Sequence, residues 1–248
     1  MRLVSYKTPD GASVGVKTAQ GYVDIAAIDP ALPRDMRALL SQGLPSDLQD
    51  RANALAAQAH DIETADLLPV VPNPGKILCM GLNYADHARE SGLEIPTYPV
   101  VFMRAATSLL APGAPLRFSP LSKQLDFEAE LAVIIGREGT GISEADALSY
   151  VAGYAVFNDL TYRDYQFASP QWTMGKNFDG TGPLGPELVT PDEIPEGAVG
   201  LSVKLTINGD IYQDGTTSEM IFPIAKAISE LSAGMTLQPG DVIVTGTP

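Results

Sequence analysis

The segment from Asp126 to Ile135 sets acidic side chains into an otherwise apolar strand pattern. Asp126, Glu128 and Glu130 alternate with apolar residues, so an extended chain places the three acids on one face. Glu128 and Glu130 would then lie about 6.5–7 Å apart, close enough to bind one cation. The alternative is a solvated acidic face, because acids are common in this chain and further acid-x-acid pairs occur at 61/63 and 144/146.

A second strand pattern supplies another carboxylate. The apolar residues 153–157 lead directly into Asn158 and Asp159. Carboxylates in core-like strands are unfavourable unless they are paired or bound to a metal, and this favours the metal hypothesis. Glu128, Glu130 and Asp159 would form an all-oxygen site suited to Mg²⁺ or Mn²⁺ rather than Zn²⁺. Three protein ligands leave positions open for a bidentate oxo acid, whose carbonyl the metal would polarise.

Turn-forming residues indicate the fold class. The chain contains 23 glycines and 20 prolines, more than the roughly 12% of residues usual for the two together. This excess predicts many short strands, and we expect an α+β fold with a curled or rolled mixed sheet. Beyond the acidic strand, the expected strands of this sheet cover residues 76–81, 99–104, 150–158, 201–208 and 241–245.

The first part of the chain predicts a small α/β module. Strands are expected over residues 3–7 and 13–25, with a turn at Gln20-Gly21. Asp35 is expected to cap a short helix that Gly43 ends, and a second helix is expected over about 47–59. Three prolines in residues 68–75 then favour an extended connector. We therefore predict a small N-terminal module over residues 1–70 and a catalytic domain over residues 74–248.

Two further elements are expected near the end of the chain. Asn208-Gly209 predicts a tight hairpin turn between two strands. A long helix is expected to begin after Ser218, with a buried face made of Phe222, Ala225, Ile228 and Leu231.

Histidine and basic residues are few, so their positions are informative. His87 and Glu90 would share one face of a helical turn, and a carboxylate beside an imidazole raises its basicity, as deprotonation of water requires. The alternative is an incidental pair on an exposed helix. Arg163 and Lys176 lie near the third acid in sequence or in a glycine-flanked segment, and either could hold a substrate carboxylate or be an ordinary surface charge.

Charge and hydropathy exclude several classes of partner. The formal net charge of −14 disfavours nucleic acid and anionic lipid as partners. No run approaches the roughly 18 apolar residues that a membrane span needs, and the first residues have no apolar signal region. The single cysteine, Cys79, excludes an internal disulfide and favours a reducing cytoplasmic location.

Taken together, these segments resemble the fumarylacetoacetate hydrolase family. The matching pieces occur in the family's order between residues 74 and 248, and the N-terminal module looks like the variable small domain of many members. The matching pieces are Gly81 to His87, Asp126 to Leu131, Asn158 to Asp164, Gln171 to Lys176 and Pro239 to Pro248. Similar proteins usually continue beyond the last of these pieces, so we expect the chain either to be truncated or to lack part of the fold.

The resemblance implies a mixed β-sandwich roll, usually a homodimer, and a metal-dependent enzyme. It implies Mg²⁺ or Mn²⁺ held by the three carboxylates, and a lid segment on which His87 and Glu90 activate water. Lys176 would stabilise a carbanion or enolate. The residues that would orient the substrate are Arg163, Gln166 and Thr247.

The function expected from the resemblance is hydrolysis of a C–C bond in an acylpyruvate, releasing pyruvate and a carboxylic acid. The same site in related proteins decarboxylates oxaloacetate, isomerises or hydrates unsaturated dioic acids, or cleaves ureidoglycolate. The presence of both His87 and Glu90 favours hydrolysis among these. A non-catalytic binding protein of the same fold is the remaining alternative.

Overall fold

The computed structural model describes residues 1–85 and 94–248. The α-helices within these residues are α1 (Ile25–Ile28), α2 (Met36–Gln42), α3 (Leu48–Ala54), α4 (Arg163–Gln166), α5 (Thr173–Lys176) and α6 (Ile224–Gly234). The strands are β1 (Arg2–Thr8), β2 (Gly11–Thr18), β3 (Gly21–Asp24), β4 (Ile77–Gly81), β5 (Val100–Arg104), β6 (Leu109–Leu110), β7 (Leu125–Asp126), β8 (Ala129–Ile135), β9 (Val151–Asn158), β10 (Thr161–Tyr162), β11 (Gly182–Pro183), β12 (Leu188–Val189), β13 (Ser202–Ile207), β14 (Asp210–Thr216) and β15 (Val242–Val244).

Nine of these strands form one mixed sheet in the order β3-β2-β1-β12-β9-β8-β15-β4-β5. The pairing of β15 with β4 is parallel, whereas β15 pairs with β8 in antiparallel fashion. A mixed sheet with helices confirms the α+β class; the closer description as a sandwich roll stays a prediction.

Both faces of the central strands are buried. Along β4, β8 and β15, residues such as Cys79, Ala132 and Val244 belong to one core cluster, and their neighbours belong to a second cluster. Because successive strand residues point to opposite faces, the two clusters lie on opposite sides of the sheet. Helices α2 and α3 pack in the first cluster, and α6 packs in the second. This explains why the central strands are almost continuously apolar.

The N-terminal segment shares this sheet. β1 pairs with β12 through Leu3 opposite Leu188, and both residues are in the first core cluster. The proline-rich connector contains the buried residues Val70 and Val71, and the Ser5 hydroxyl donates to the carbonyl of Val70 at 2.8 Å. The division into residues 1–70 and 74–248 therefore stays a prediction.

Several local predictions are confirmed. The Asp35 carboxylate caps α2 by accepting from the N–H of Ala38, and Gly43 ends that helix with a positive φ of 88°. Asn208 and Gly209 both have positive φ and join β13 to β14 in a hairpin.

Two predicted helices have other boundaries in the structure. The helix expected over 47–59 ends at Ala54, and a 3₁₀ turn over Ala56–Gln58 follows it. The last helix begins at Ile224 rather than after Ser218, because residues Thr217–Glu219 form a separate 3₁₀ turn, capped by the Thr216 hydroxyl, and Pro223 precedes the helix. In the part of the chain that the structure describes, no helix is long and apolar enough to cross a membrane.

Candidate active site

Three carboxylates converge where β8 begins and β9 ends. Ala129 and Asn158 are opposite each other in this antiparallel pair, which brings Glu128 and Glu130 beside Asp159. One carboxylate oxygen of each acid lies within 4.8 Å of one on each of the others. The exposed fractions are 5% for Glu128, 4% for Glu130 and 0% for Asp159. The structure thus brings the three sequence-predicted ligands together, away from bulk water.

Asp126 does not join the other acids, although the alternation places it on their face. β7, which ends at Asp126, pairs with β10 in a separate two-stranded sheet, and β8 of the nine-stranded sheet begins only at Ala129. Asp126 instead pairs with Arg163, whose Nη2 lies 2.8 Å from its Oδ2.

Two buried cations neutralise part of the cluster. The Lys176 ammonium, 2% exposed, lies 2.6 Å from Oε2 of Glu128 and 2.7 Å from Oδ2 of Asp159. Arg104 ion-pairs with the other oxygen of Asp159 and donates to Thr181 Oγ1 at 2.7 Å. The short helix α5 therefore brings Lys176 to the carboxylates, and the edge strand β5 brings Arg104.

Glu130 has a different partner from the other two acids. Its carboxylate accepts from the backbone N–H of Gly246, in the turn that follows β15. Gly246 has φ of +90°, and a Cβ there would meet the side chain of Asn83 at 2.8 Å and the carbonyl of Met80 at 3.0 Å. Only glycine fits this turn without displacing its neighbours.

The surroundings separate the pKa values of the acids. Burial, and then the negative charges of Asp159 and Glu128, raise the pKa of Glu130 well above its ordinary value. Burial also acts to raise the pKa of Asp159, but the nearby charges of Lys176 and Arg104 outweigh it and lower that pKa. Burial acts to lower the pKa of Lys176, and the two carboxylates outweigh it and raise that pKa. The cations of the cluster therefore compensate the negative charge of Glu130 less than that of Asp159.

This arrangement fits a hard divalent cation. The three acids line a cavity of about 30 Å³ together with Lys176 and Arg163. All three are oxygen donors, the kind that Mg²⁺ and Mn²⁺ prefer. A bound cation would place a compensating positive charge beside Glu130. The acidic cluster could therefore hold the metal; the choice between Mg²⁺ and Mn²⁺ stays a prediction.

A larger cleft of about 620 Å³ opens beside the cavity. Glu128, Arg163 and Thr247 line both spaces, so the two are contiguous. The Arg163 guanidinium lies 2.7 Å from Glu128 and donates to Gln166 Oε1 at 2.9 Å. Arg163 and Gln166 thus lie beside the carboxylates, where an elongated ligand would extend from the cavity into the cleft.

The Thr247 side chain is tied to the protein. Its hydroxyl donates to the carbonyl of Ala129 at 2.9 Å and accepts from Gln213 Nε2 at 2.6 Å. Gln213 in turn accepts the N–H of Ala129 at 2.8 Å. The hydroxyl proton is therefore used within the protein, and the substrate contact expected of Thr247 stays a prediction.

Some residues of the site were not predicted from the sequence. Gln213 gives no sequence signal, because it lies on an exposed hairpin strand. Arg104 gives one, a charged residue at the end of an apolar strand. Asn83 is buried, donates to the carbonyls of Phe222 and Thr245 and accepts from Phe222 N–H, so it holds together the turns around Gly246. His87 and Glu90 lie outside the described residues.

Comparisons with known proteins agree with this architecture. Residues 76–248 match the family model described as fumarylacetoacetate (FAA) hydrolase C-terminal. A relative from Xenopus laevis, named oxaloacetate tautomerase fahd2, mitochondrial, is 40% identical over 256 aligned residues, which cover 100% of this chain and 80% of the relative.

Solved structures give the same result. Fumarylacetoacetate hydrolase from Exiguobacterium antarcticum has a TM-score of 0.82 at 32% identity, over 100% of this chain and 87% of that one. Maleylpyruvate hydrolase from Sphingobium sp. SYK-6, solved with manganese(II) and pyruvate, has a TM-score of 0.80 at 30% identity, over 100% and 89%. The chain therefore belongs to the fumarylacetoacetate hydrolase family.

Proposed function

We propose that this protein is a divalent-metal-dependent enzyme that interconverts the enol and keto forms of a short 2-oxo diacid of the oxaloacetate type. The observation that carries the proposal is the buried Lys176 ammonium, which lies between two carboxylates at the wall of the cavity. The name of the Xenopus laevis relative, which aligns along this whole chain, supports the choice of reaction.

A metal held by Glu128, Glu130 and Asp159 would polarise the 2-oxo group and favour negative charge on its oxygen. Lys176 adds a second positive charge to the same cavity, and the adjoining carboxylates keep it protonated because they raise its pKa. A preorganised charge in a site away from water stabilises a developing enolate strongly. Arg163, which lines both the cavity and the cleft, is placed to bind a carboxylate of the same ligand.

Tautomerisation moves one proton between carbon and oxygen and consumes no water. The protein must therefore supply a group that takes the proton from C3 and returns one to the oxygen, or the reverse. We assign this transfer to His87 with Glu90, which follow Tyr84 closely in sequence.

The decisive experiment follows enol-oxaloacetate by its ultraviolet absorbance, with purified protein stripped of metal and then supplied with Mg²⁺ or Mn²⁺. We expect the decay of the enol to be faster than the uncatalysed decay only with metal present, and EDTA to remove the difference. Restoring excess Mg²⁺ after EDTA is the control. Catalysis at the same rate with EDTA as with Mg²⁺ contradicts the proposal.

Hydrolysis of an acylpyruvate to pyruvate and a carboxylic acid remains the second candidate. It is supported by the His87 and Glu90 pair in the sequence and by the maleylpyruvate hydrolase, whose structure contains manganese and pyruvate. In this reaction the imidazole would deprotonate a water that attacks the distal carbonyl.

A His87→Ala variant tests the second candidate. If wild-type protein hydrolyses acylpyruvates, we expect the variant to lose pyruvate release by about 100-fold or more, as general-base catalysis contributes at least that much. Coupled detection of pyruvate measures the rate, and Mg²⁺ affinity is the control for an intact cavity. A variant that releases pyruvate at the wild-type rate rules out His87 as the base.

Two other expectations stay proposals alongside the activity. The resemblance implies a homodimer, and the composition favours a cytoplasmic location. The Xenopus laevis relative is named as mitochondrial.

A further inference from the structure

Tyr84 has a buried hydroxyl that hydrogen-bonds to none of the residues that the structure describes. It follows β4 and pairs by a single bridge with Met220, and 1% of it is exposed. Among residues 1–85 and 94–248, its hydroxyl is the buried side-chain polar atom that makes no hydrogen bond. Leaving a buried polar group unsatisfied costs about 1–3 kcal/mol, so the position calls for a physical explanation.

The same fold satisfies phenols elsewhere. Tyr22 donates to Glu187 at 2.7 Å, and the hydroxyl of Tyr162 accepts from the N–H of Ser119 at 2.7 Å. Tyr6 donates to Asp24 at 2.5 Å. The hydroxyl of Tyr84 therefore differs from these three phenols, for which the fold supplies a partner.

The position of Tyr84 shows where a partner could come from. Tyr84 lines the 620 Å³ cleft but not the small cavity among the three acids. Burial, and then the negative charges of Glu130 and Glu219, raise the pKa of its phenol, so the group stays protonated and can donate. A ligand whose 2-oxo acid end occupies the cavity would extend its other end into the cleft that Tyr84 lines.

We propose that the Tyr84 hydroxyl is a substrate-binding group that donates a hydrogen bond to an oxygen at the distal end of the bound 2-oxo acid. This assignment rests on the proposed function, because that function places the other end of the ligand at the acids. A ligand that ends at C3, such as pyruvate, offers no oxygen to Tyr84. Tyr84 therefore selects ligands that carry a distal carboxylate or carbonyl.

The test compares Tyr84→Phe with wild type. Because the hydroxyl has no partner among the described residues of the free protein, its removal is expected to leave the thermal unfolding temperature unchanged or raise it. It is also expected to weaken oxaloacetate binding about three- to tenfold, the loss of one hydrogen bond. The Kd of pyruvate is expected to stay at its wild-type value.

Trp172, the only tryptophan of the chain, lines the cavity and reports binding through its fluorescence. Freshly dissolved oxaloacetate and pyruvate are titrated with Mg²⁺ present. Tyr22→Phe is the matched control: it removes a satisfied hydroxyl outside the cleft, so it should lower the unfolding temperature and leave both Kd values unchanged. Glu219→Gln is the second control. If the Tyr84 hydroxyl bound the Glu219 carboxylate rather than the ligand, Glu219→Gln and Tyr84→Phe would have the same effect on both Kd values.

The outcomes separate the two proposals. If wild type binds neither ligand, the proposed function has failed, and the assignment of Tyr84 fails with it. If wild type binds oxaloacetate and Tyr84→Phe binds it equally well, only the assignment of Tyr84 has failed. A Tyr84→Phe variant that unfolds at a lower temperature with both Kd values unchanged shows a structural hydroxyl, and equal weakening of both ligands places the effect at the metal end; either result overturns the assignment.

Discussion

The Glu130→Gln variant is expected to lose affinity for Mg²⁺ or Mn²⁺ by more than roughly 100-fold, since even the partners of metal ligands contribute 10- to 100-fold. Catalysis should fall with it. Glutamine keeps an oxygen for the N–H of Gly246 but removes the charge that attracts the cation. Calorimetric titration with Mg²⁺ measures the loss.

The same substitution should stabilise the metal-free protein. The folded-state pKa of Glu130 is raised, so its contribution to stability is present below the ordinary carboxyl pKa and is lost as the pH rises through the raised value. At neutral pH we therefore expect Glu130→Gln to raise the free energy of unfolding by about 1–3 kcal/mol without metal. Its stability should also depend less on pH between these two values.

Saturating Mg²⁺ should reverse the order of stability, because it stabilises only the wild type. Denaturant unfolding with EDTA and with Mg²⁺ shows both effects. Glu144→Gln, an exposed acid of another acid-x-acid pair, is the control and should change neither. A Glu130→Gln protein that binds Mg²⁺ as tightly as wild type contradicts the metal centre.

Lys176→Met is the second variant with a large expected effect. Methionine fills a similar volume but leaves Glu128 and Asp159 without the ammonium that contacts both. Removing one partner of a buried ion pair typically costs about 3–5 kcal/mol, so the metal-free variant should unfold at much lower denaturant concentration. Catalysis should fall at least about 100-fold, because the charge that stabilises the enolate is lost.

Binding of the metal should respond in the opposite direction. Without Lys176, the two carboxylates have less positive charge nearby, so Mg²⁺ should bind at least as tightly as in wild type. Tight metal binding combined with lost activity distinguishes a catalytic ammonium from one that merely holds the cavity together. Lys76→Met is the matched control: Lys76 pairs with the buried Asp241 at 2.6 Å away from the cavity, so stability should fall while the affinity for Mg²⁺ stays the same. A Lys176→Met protein with wild-type turnover would exclude Lys176 from the reaction.

Strand patterns predicted most of the sheet because its strands are short apolar runs, and those of the central strands are buried on both faces. The predicted segments at 76–81, 99–104 and 150–158 each match an observed strand to within a residue or two. The predicted start of α6 was wrong because serine and threonine cap short 3₁₀ turns as well as helices. Phe222, which was expected on the buried face of this helix, is buried but precedes it.

The candidate site could also be predicted only in part. Glu128 and Glu130 could be paired from their spacing, and the apolar strand pattern that leads into Asp159 made it a reasonable third member. Contacts between distant segments left little trace in the sequence. Arg104 reaches Asp159 from the edge strand, and Gln213 reaches Ala129 from a hairpin, through side-chain geometry that no local pattern encodes.

The position of β15 has a consequence for how the protein is made. This strand comes late in the chain yet lies inside the sheet, between β8 and β4, and the turn after it supplies the N–H that holds Glu130. On the ribosome, the hairpin of β1 and β2 can form early, since its contacts are local. β8 and β4 must wait, each with an open edge, until β15 has emerged far later in the chain. We therefore expect the nascent protein to depend on chaperones until β15 has been synthesised.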